Sequence, residues 1–299
     1  MHLRLLHRTT FVYSGIAHDS FNEARLRPVD DETQTCRSFE LRLKPDRPKI
    51  SQREYRDFYG NMVHYFDLAR GHRKLVIEAV SEVDTVPDAE RRPVADSPSA
   101  ELETFPEREF HAEFLSPSNY VPEDVTLWAE AKDALAAGRT TVFADACRLA
   151  GHVFKTFKYS PKATGVTTRA PDALKLRAGV CQDYAHVTLG LCRQSGIPAR
   201  YVSGYFFNDL RRPDELEASH AWIEVMVPGH GWAGYDPTHD RAPDQRYIKI
   251  AVGRDYADIR PVSGTYRGAP TRSLLVDVTV RDANAPAPAS PPAPAPALA

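Results

Sequence analysis

The apolar residues of this chain change their spacing partway along, and that change limits what the chain can fold into. Over residues 3–13, 36–43 and 74–83 they alternate with polar residues, the two-residue period of strands with one buried face. Between the second and third runs, DFYGNMVHYFDL sets Gly60-Asn61 among aromatic and β-branched residues, which signals a hairpin. No helical period precedes residue 84, so residues 1–84 are expected to form an antiparallel β domain. After residue 120 the spacing becomes three and four. Val142, Phe143, Ala146, Leu149, Ala150, Val153, Phe154 and Phe157 form the stripe of a buried helix, with Thr140 or Thr141 as its N-cap. An earlier helix opens at Pro122-Glu123-Asp124, runs through Trp128 and Leu135 and stops at Gly138. The expected fold class is α+β, a β domain followed by a mixed core.

Composition narrows the possibilities. The 299 residues carry a formal net charge of −2, without the basic excess of a nucleic-acid binder. No apolar run reaches the roughly 18 residues of a membrane span, and the opening MHLRLLHRTTFVYSG reads as a strand, not as a signal peptide. Cys36, Cys147, Cys181 and Cys192 are scattered without CxxC pairing, which fits free thiols in a reducing compartment, the cytoplasm. Residues 85–119, rich in proline and charge, read as a linker or an extended crossing segment between the β domain and a core at 120–282. The Pro/Ala tail at 283–299 lacks core-forming side chains and is expected to be disordered. No paired-ligand spacing, EF-hand loop or glycine-rich phosphate loop is present, so neither metal nor cofactor is expected.

The chemistry concentrates in GVCQDYAHVTLGLCRQSGIPARYVSGYFF. Cys181 falls at the first turn of a helix that Gly196 closes. Unsatisfied N–H groups and the positive end of the dipole favour a thiolate there and can stabilise an oxyanion beside it. Downstream, HAWIEVMV, the turn PGHG and GWAGYDPT make a hairpin. With Val227 facing Gly231, His220 lies opposite Thr238, and Asp236 sits two residues along on the same face. Such diagonal neighbours are about 7–8 Å apart between backbones, within reach of a side-chain hydrogen bond. A one-residue slip would separate them. An imidazole anchored by a carboxylate can take a thiol proton with its other nitrogen.

These blocks, GVCQDYAH, GIPARYVSGY, SHAWIEV and GWAGYDPTHD in that order, resemble the core of the transglutaminase-like superfamily. More loosely, FKYSPKATGVTT and GRDYADIRPVSGTYRG extend the likeness. The N-terminal residues, DFYGN among them, resemble the β-rich N-terminal domain of the bacterial branch, which includes cysteine proteases. The resemblance implies a papain-like α+β core with Cys181 as nucleophile, His220 as general base and acid, and Asp236 as the orienting group. It implies an amide-bond enzyme working through a thioester on a peptide or protein substrate, by peptidase-like or amidase-like hydrolysis. The alternatives are a protein-glutamine transglutaminase with an amine acceptor and a non-catalytic peptide-binding module.

Other residues are weighed against structural roles. Gln182 is a side-chain oxyanion candidate, and Trp222 and Trp232 are candidates to line the substrate cleft. Asp183 reads as a helix-start carboxylate. His186, about 140° round the helix from Cys181, reads as a structural hydrogen-bonding residue. Cys147 reads as a small core residue. His239 and Asp240 could form a second His–carboxylate pair but read as solvated turn residues. Tyr256, Asp258 and Arg260 read as ties between a late loop and the core.

Overall fold

The structure is a computed structural model that describes residues 1–45, 50–208 and 219–285. The polar stretch 209–218 and the tail from residue 286 lie outside the described residues. The first strand, β1 (His2–Ala24), alternates inward and outward side chains over 23 residues, long enough to take different partners along its length. Its first half pairs antiparallel with β5 (His72–Thr85) on one edge and β13 (Thr271–Asp282) on the other. Its second half pairs with β4 (Met62–Leu68) and β12 (Val262–Gly268). With β2 (Gln34–Lys44) beside β5 and β3 (Gln52–Arg56) beside β4, the described residues give a seven-stranded antiparallel sheet.

One expected boundary does not correspond to a spatial unit. Residues 262–282, expected within the core, return to the N-terminal sheet as β12 and β13. The reason is the second edge of β1, which exposes a row of backbone groups until another strand covers it. Val278 and Val280 are buried in one cluster with Leu3 and Leu5 of β1, so burial and pairing favour the same register.

The proline-rich stretch after β5 is an ordered crossing. Short 3-10 turns at Asp88–Glu90, Ser99–Glu103 and Pro106–Phe114 bury Leu102, Phe105 and Phe114 against the core. The crossing also caps α2 (Val142–Thr156). Thr141 occupies the N-cap position, but its own side chain accepts no capping bond. The Asp96 carboxylate accepts the N–H groups of Phe143 at 2.8 Å and Ala144 at 3.1 Å instead.

The core packs α1 (Val125–Ala134), α2, α3 (Ala170–Leu176) and α4 (Cys181–Gln194) with a four-stranded antiparallel sheet. Its order is β10 (Gly231–Tyr235), β9 (His220–Val227), β8 (Ala199–Phe206), β11 (Tyr247–Gly253). Between α2 and α4, β6 (Lys158–Tyr159) pairs in parallel with β7 (Ala178–Gly179). α4 is buried at every residue from Asp183 to Arg193, because α1, α2 and α3 pack on it along with β8 and β9. A helix enclosed in this way turns no face to solvent, and even its polar Asp183, His186, Thr188 and Arg193 are buried. α3 has no counterpart in the periodicity, for seven residues are too few to show one; Pro171 in its first turn was the available signal.

Two buried amides join the halves. β11 is an edge strand of the core sheet, and a bulge between Lys249 and Ala251 lets Lys249 and Val252 both turn backbone groups outward. Gln34 donates Nε2 to the Lys249 carbonyl at 2.8 Å and accepts the Lys249 N–H at 2.7 Å. Asn61, from the DFYGN turn, does the same for Val252, both bonds at 2.8 Å. Each side chain thus stands in for a neighbouring strand's peptide group. Replacing Asn61 with Ala would leave the N–H and C=O of Val252 unpaired. We expect urea unfolding to show a loss of about 3 kcal/mol, with the circular dichroism of the folded state unchanged.

Candidate active site

α4 begins at Cys181 because Val180 is extended and the side chain of Asp183 folds back over the start of the helix. Asp183 Oδ2 accepts the Val180 N–H at 2.8 Å and the Thr164 hydroxyl at 2.6 Å, the helix-start role expected of it. Burial pushes this carboxyl's pKa up, and those two bonds pull it back. Gly179 leaves the space: a Cβ there would stand 2.6 Å from the Asp183 carboxyl carbon. Cys181 is partly exposed, and its Sγ lies 3.8 Å from the Ser219 carbonyl, one residue before β9.

The hairpin takes the register that brings the other two residues together. Val227 faces Gly231, and the ladder runs through Tyr235 opposite Ile223. Gly229 and Gly231, at φ 72° and 100°, adopt a backbone conformation that other residues rarely take, and this fixes the reversal. Asp236 then accepts a hydrogen bond from His220 Nε2 at 2.7 Å. With Nε2 occupied, Nδ1 is the imidazole nitrogen left to serve a thiol, and the Cys181 sulfur lies beside the residue that precedes His220. Burial disfavours the imidazolium, but the hydrogen bond to Asp236 and the influence of the Cys181 thiol outweigh it and raise the pKa of His220 to about 10.

Asp236 has no exposed surface. Burial alone would raise its pKa, yet the hydrogen bonds and charges of His220 and His239 hold it far below the usual carboxylate range. Its Oδ1 accepts the Thr238 N–H at 2.8 Å, and its Oδ2 also takes Nδ1 of His239 at 2.6 Å and the Tyr247 hydroxyl at 2.7 Å. The sequence alone reads His239 as a solvated turn residue and gives no sign of a role for Tyr247. The three-residue spacing of Asp236 and His239 in one turn was the signal for the first; Tyr247 arrives from another strand and left none. His220, Asp236 and His239 hold potential metal-ligating atoms within 4.8 Å of one another, and the hydrogen bonds among them account for that closeness.

The remaining candidates lie elsewhere. Gln182 turns its amide to the Val166 carbonyl at 3.1 Å, engaging the loop that covers the helix start and not a position beside the sulfur. Trp222 is 2% exposed and stacks near His220 on its buried side, so it supports the imidazole and does not line a cleft. Trp232 sits opposite Met226, about 20 Å along the strand from His220. There it packs under the Arg200 guanidinium and against His111 and Phe114. His186 is buried, stacked on Tyr120, and accepts the Tyr256 N–H at 3.3 Å, a structural role; burial lowers its pKa to about 3. Cys147 is partly buried, and burial pushes its pKa up to about 12. Asp240 accepts the Tyr235 hydroxyl at 3.0 Å and does not pair with His239. Asp258 accepts the Tyr59 hydroxyl at 3.0 Å and pairs with Arg254, tying the late loop to the DFYGN turn.

Comparison with known proteins follows the same two-part layout. The sequence profile described as "Transglutaminase-like superfamily" matches residues 129–237, and "Bacterial transglutaminase-like N-terminal region" matches residues 3–84. An uncharacterized protein of Mycobacterium leprae is 36% identical over 284 residues, covering 93% of this chain and 98% of its own. A protein-glutamine gamma-glutamyltransferase of Pseudomonas aeruginosa is 32% identical over 124 residues, 38% of this chain and 19% of its own. A crystal structure of a candidate cysteine protease from Cytophaga hutchinsonii superposes with a TM-score of 0.71 at 24% identity. It covers 96% of this chain and 93% of its own, and it shares the fold.

Two measurements test this arrangement. His220 has its pKa raised in the folded state, so its contribution to stability is complete below its ordinary value near 6.5 and disappears as pH rises through about 10. Unfolding free energy measured in urea is expected to fall between about pH 7 and pH 10. His220→Asn should remove most of that fall. Gly179→Ala, which drives a methyl group into the Asp183 carboxylate, should lower the thermal midpoint and slow iodoacetamide labelling of Cys181.

Proposed function

The chain belongs to the transglutaminase-like superfamily, and from that premise we propose that it is a cysteine-dependent hydrolase of peptide or protein amides with Cys181, His220 and Asp236 as its triad. The observation that carries the reading is the His220 imidazole hydrogen-bonded to a buried carboxylate, with the thiol at the start of α4 lying 3.8 Å from the carbonyl of Ser219, the residue before that histidine. His220, held at Nε2 by Asp236, is placed to take the thiol proton, so that Cys181 attacks as the thiolate.

The reaction then proceeds in two stages. The Cys181 thiolate forms a C–S bond to the amide carbon, and the carbonyl electrons move onto oxygen. That oxyanion sits beside the first turn of α4, where the N–H groups of Cys181 and Gln182 have no intrahelical acceptor. As the oxyanion collapses the C–N bond breaks, and His220 Nδ1 delivers its proton to the departing amine. The products are free amine and a thioester on Cys181. Water attacks the thioester with His220 now as base, and the acid leaves as the thiolate–imidazolium pair is restored.

Partial exposure of Cys181 favours water as acceptor, because an open thioester meets solvent more often than a dilute amine. Transfer to an amine is the second reading, favoured by the Pseudomonas aeruginosa relative, which is named a protein-glutamine gamma-glutamyltransferase. Among the described residues no helix is long and apolar enough to cross a membrane. The four cysteines are free thiols, which fits activity in a reducing compartment such as the cytoplasm.

A peptide library screened with the wild-type chain, with Cys181→Ala and with Cys181→Ser, is expected to show amide cleavage in the wild type alone. The variants should fall by at least about a thousandfold. Full activity in Cys181→Ala would eliminate the mechanism. A fluorescent primary amine supplied with a glutamine-bearing protein should be incorporated more slowly than the same protein is hydrolysed; the reverse order would assign transfer.

A further inference from the structure

Three of the four donors around Asp236 converge on a single oxygen. Oδ2 accepts from His220 Nε2 at 2.7 Å, His239 Nδ1 at 2.6 Å and the Tyr247 hydroxyl at 2.7 Å, while Oδ1 takes only the Thr238 N–H among these donors. A carboxylate oxygen offers about two lone-pair sites, so satisfying the buried charge does not require three donors on one atom. The crowding has another effect: negative charge drawn toward one donor is withdrawn from the others. His239 is well placed to matter, with its ring centroid 5.1 Å from that of His220 and its side chain 38% exposed at the rim of the site.

We infer that His239 is a positioning residue that acts through Asp236: it shares the carboxylate's charge with His220 and so keeps the imidazolium able to release its proton to the departing amine. The inference rests on the hydrolase reading above. A general acid must part with its proton near the working pH, and one held too tightly by its partners is a poor donor. Burial opposes the imidazolium of His220, and the hydrogen bond to Asp236, together with the Cys181 thiol, more than reverses that effect. Each additional donor on Oδ2 relaxes the hold of Asp236. His239 supplies one from the turn after β10, and Tyr247 supplies another from β11.

The charged neighbours do not take over this role. Arg241 donates Nε to the Tyr247 hydroxyl at 3.2 Å, with its guanidinium over Phe206 and Tyr247. Arg246 lies over Phe206 and pairs with Asp244, which also faces Arg241 at 3.6 Å. Asp240, next in the chain, accepts from Tyr235. Phe206 packs against the His239 ring at 5.2 Å. The contacts that His239 makes to a charged or polar group in this cluster therefore centre on Asp236.

The test uses the full chain and two readouts. The first is the pH dependence of Cys181 alkylation by iodoacetamide, which needs no substrate. The second is kcat and KM on a cleaved peptide amide. In His239→Ala the alkaline inflection of alkylation should move up by about half a pH unit or more, and kcat should fall about tenfold with KM within about twofold. In His239→Asn the amide nitrogen can occupy the place of Nδ1, so both readouts should return to within about threefold of wild type. Tyr247→Phe, which removes one donor with little change in bulk, should move the inflection in the same direction as His239→Ala. An unshifted inflection in His239→Ala, an Asn variant no better than the Ala variant, or a Tyr247→Phe shift toward lower pH would each overturn the inference. A wild-type chain that alkylates with two inflections but cleaves no amide defeats the hydrolase reading, and the inflection shifts still decide the charge sharing separately.

Discussion

The carboxylate of Asp236 carries a charge with no exposed surface, and a buried charge persists only where hydrogen bonds and an opposite charge replace the water it has lost. Meeting that requirement fixes much of the core around it. The hairpin must hold its register for His220 to arrive. The turn after β10 must curl so that the N–H of Thr238 and the ring of His239 point inward, and β11 must lie close enough to deliver the Tyr247 hydroxyl. Segments from three strands of one sheet are thereby held to one point. The thiol at the start of α4 meets an imidazole whose orientation is already set.

A similar device operates away from the site. Gln34 and Asn61 offer amides to the outer edge of β11 and occupy positions that a neighbouring strand would take. Glu224, nearly buried, is neutralised by Arg200 on β8 and Lys249 on β11, and Lys249 also reaches Asp31. Because buried polar groups tolerate few alternative arrangements, these contacts select one docking of the N-terminal sheet on the core. The apolar contacts of Leu3, Leu5, Val278 and Val280 with the core supply burial but less direction.

The legible parts of the sequence were those governed by local rules. Cys181 at a helix start, Gly196 after its end, and the Val227–Gly231 pairing follow from capping, glycine conformation and turn length, and each is found in the fold. Less legible were features that depend on partners far along the chain. Thr141 could be placed at the N-cap of α2, but Asp96 supplies the capping oxygen from the crossing segment. Trp222 looked free to line a cleft because its alternation does not say that Tyr247 and His220 enclose it. Gln182 was read from its place beside the nucleophile, while the Val166 carbonyl that engages it belongs to a loop without periodicity. The strands at 262–282 alternate like any others, and nothing local tells that their partner is the first strand of the chain.

That last pairing has a bearing on biosynthesis. β1 leaves the ribosome before β12 and β13, which follow some 240 residues later, so one flank of β1 stays open while the residues between are made. Such a flank can recruit a foreign strand as readily as its own, and a truncated product would carry it permanently. β12 and β13 are thus late staves that close a sheet begun with β1, and the flank they cover is guarded only once they arrive.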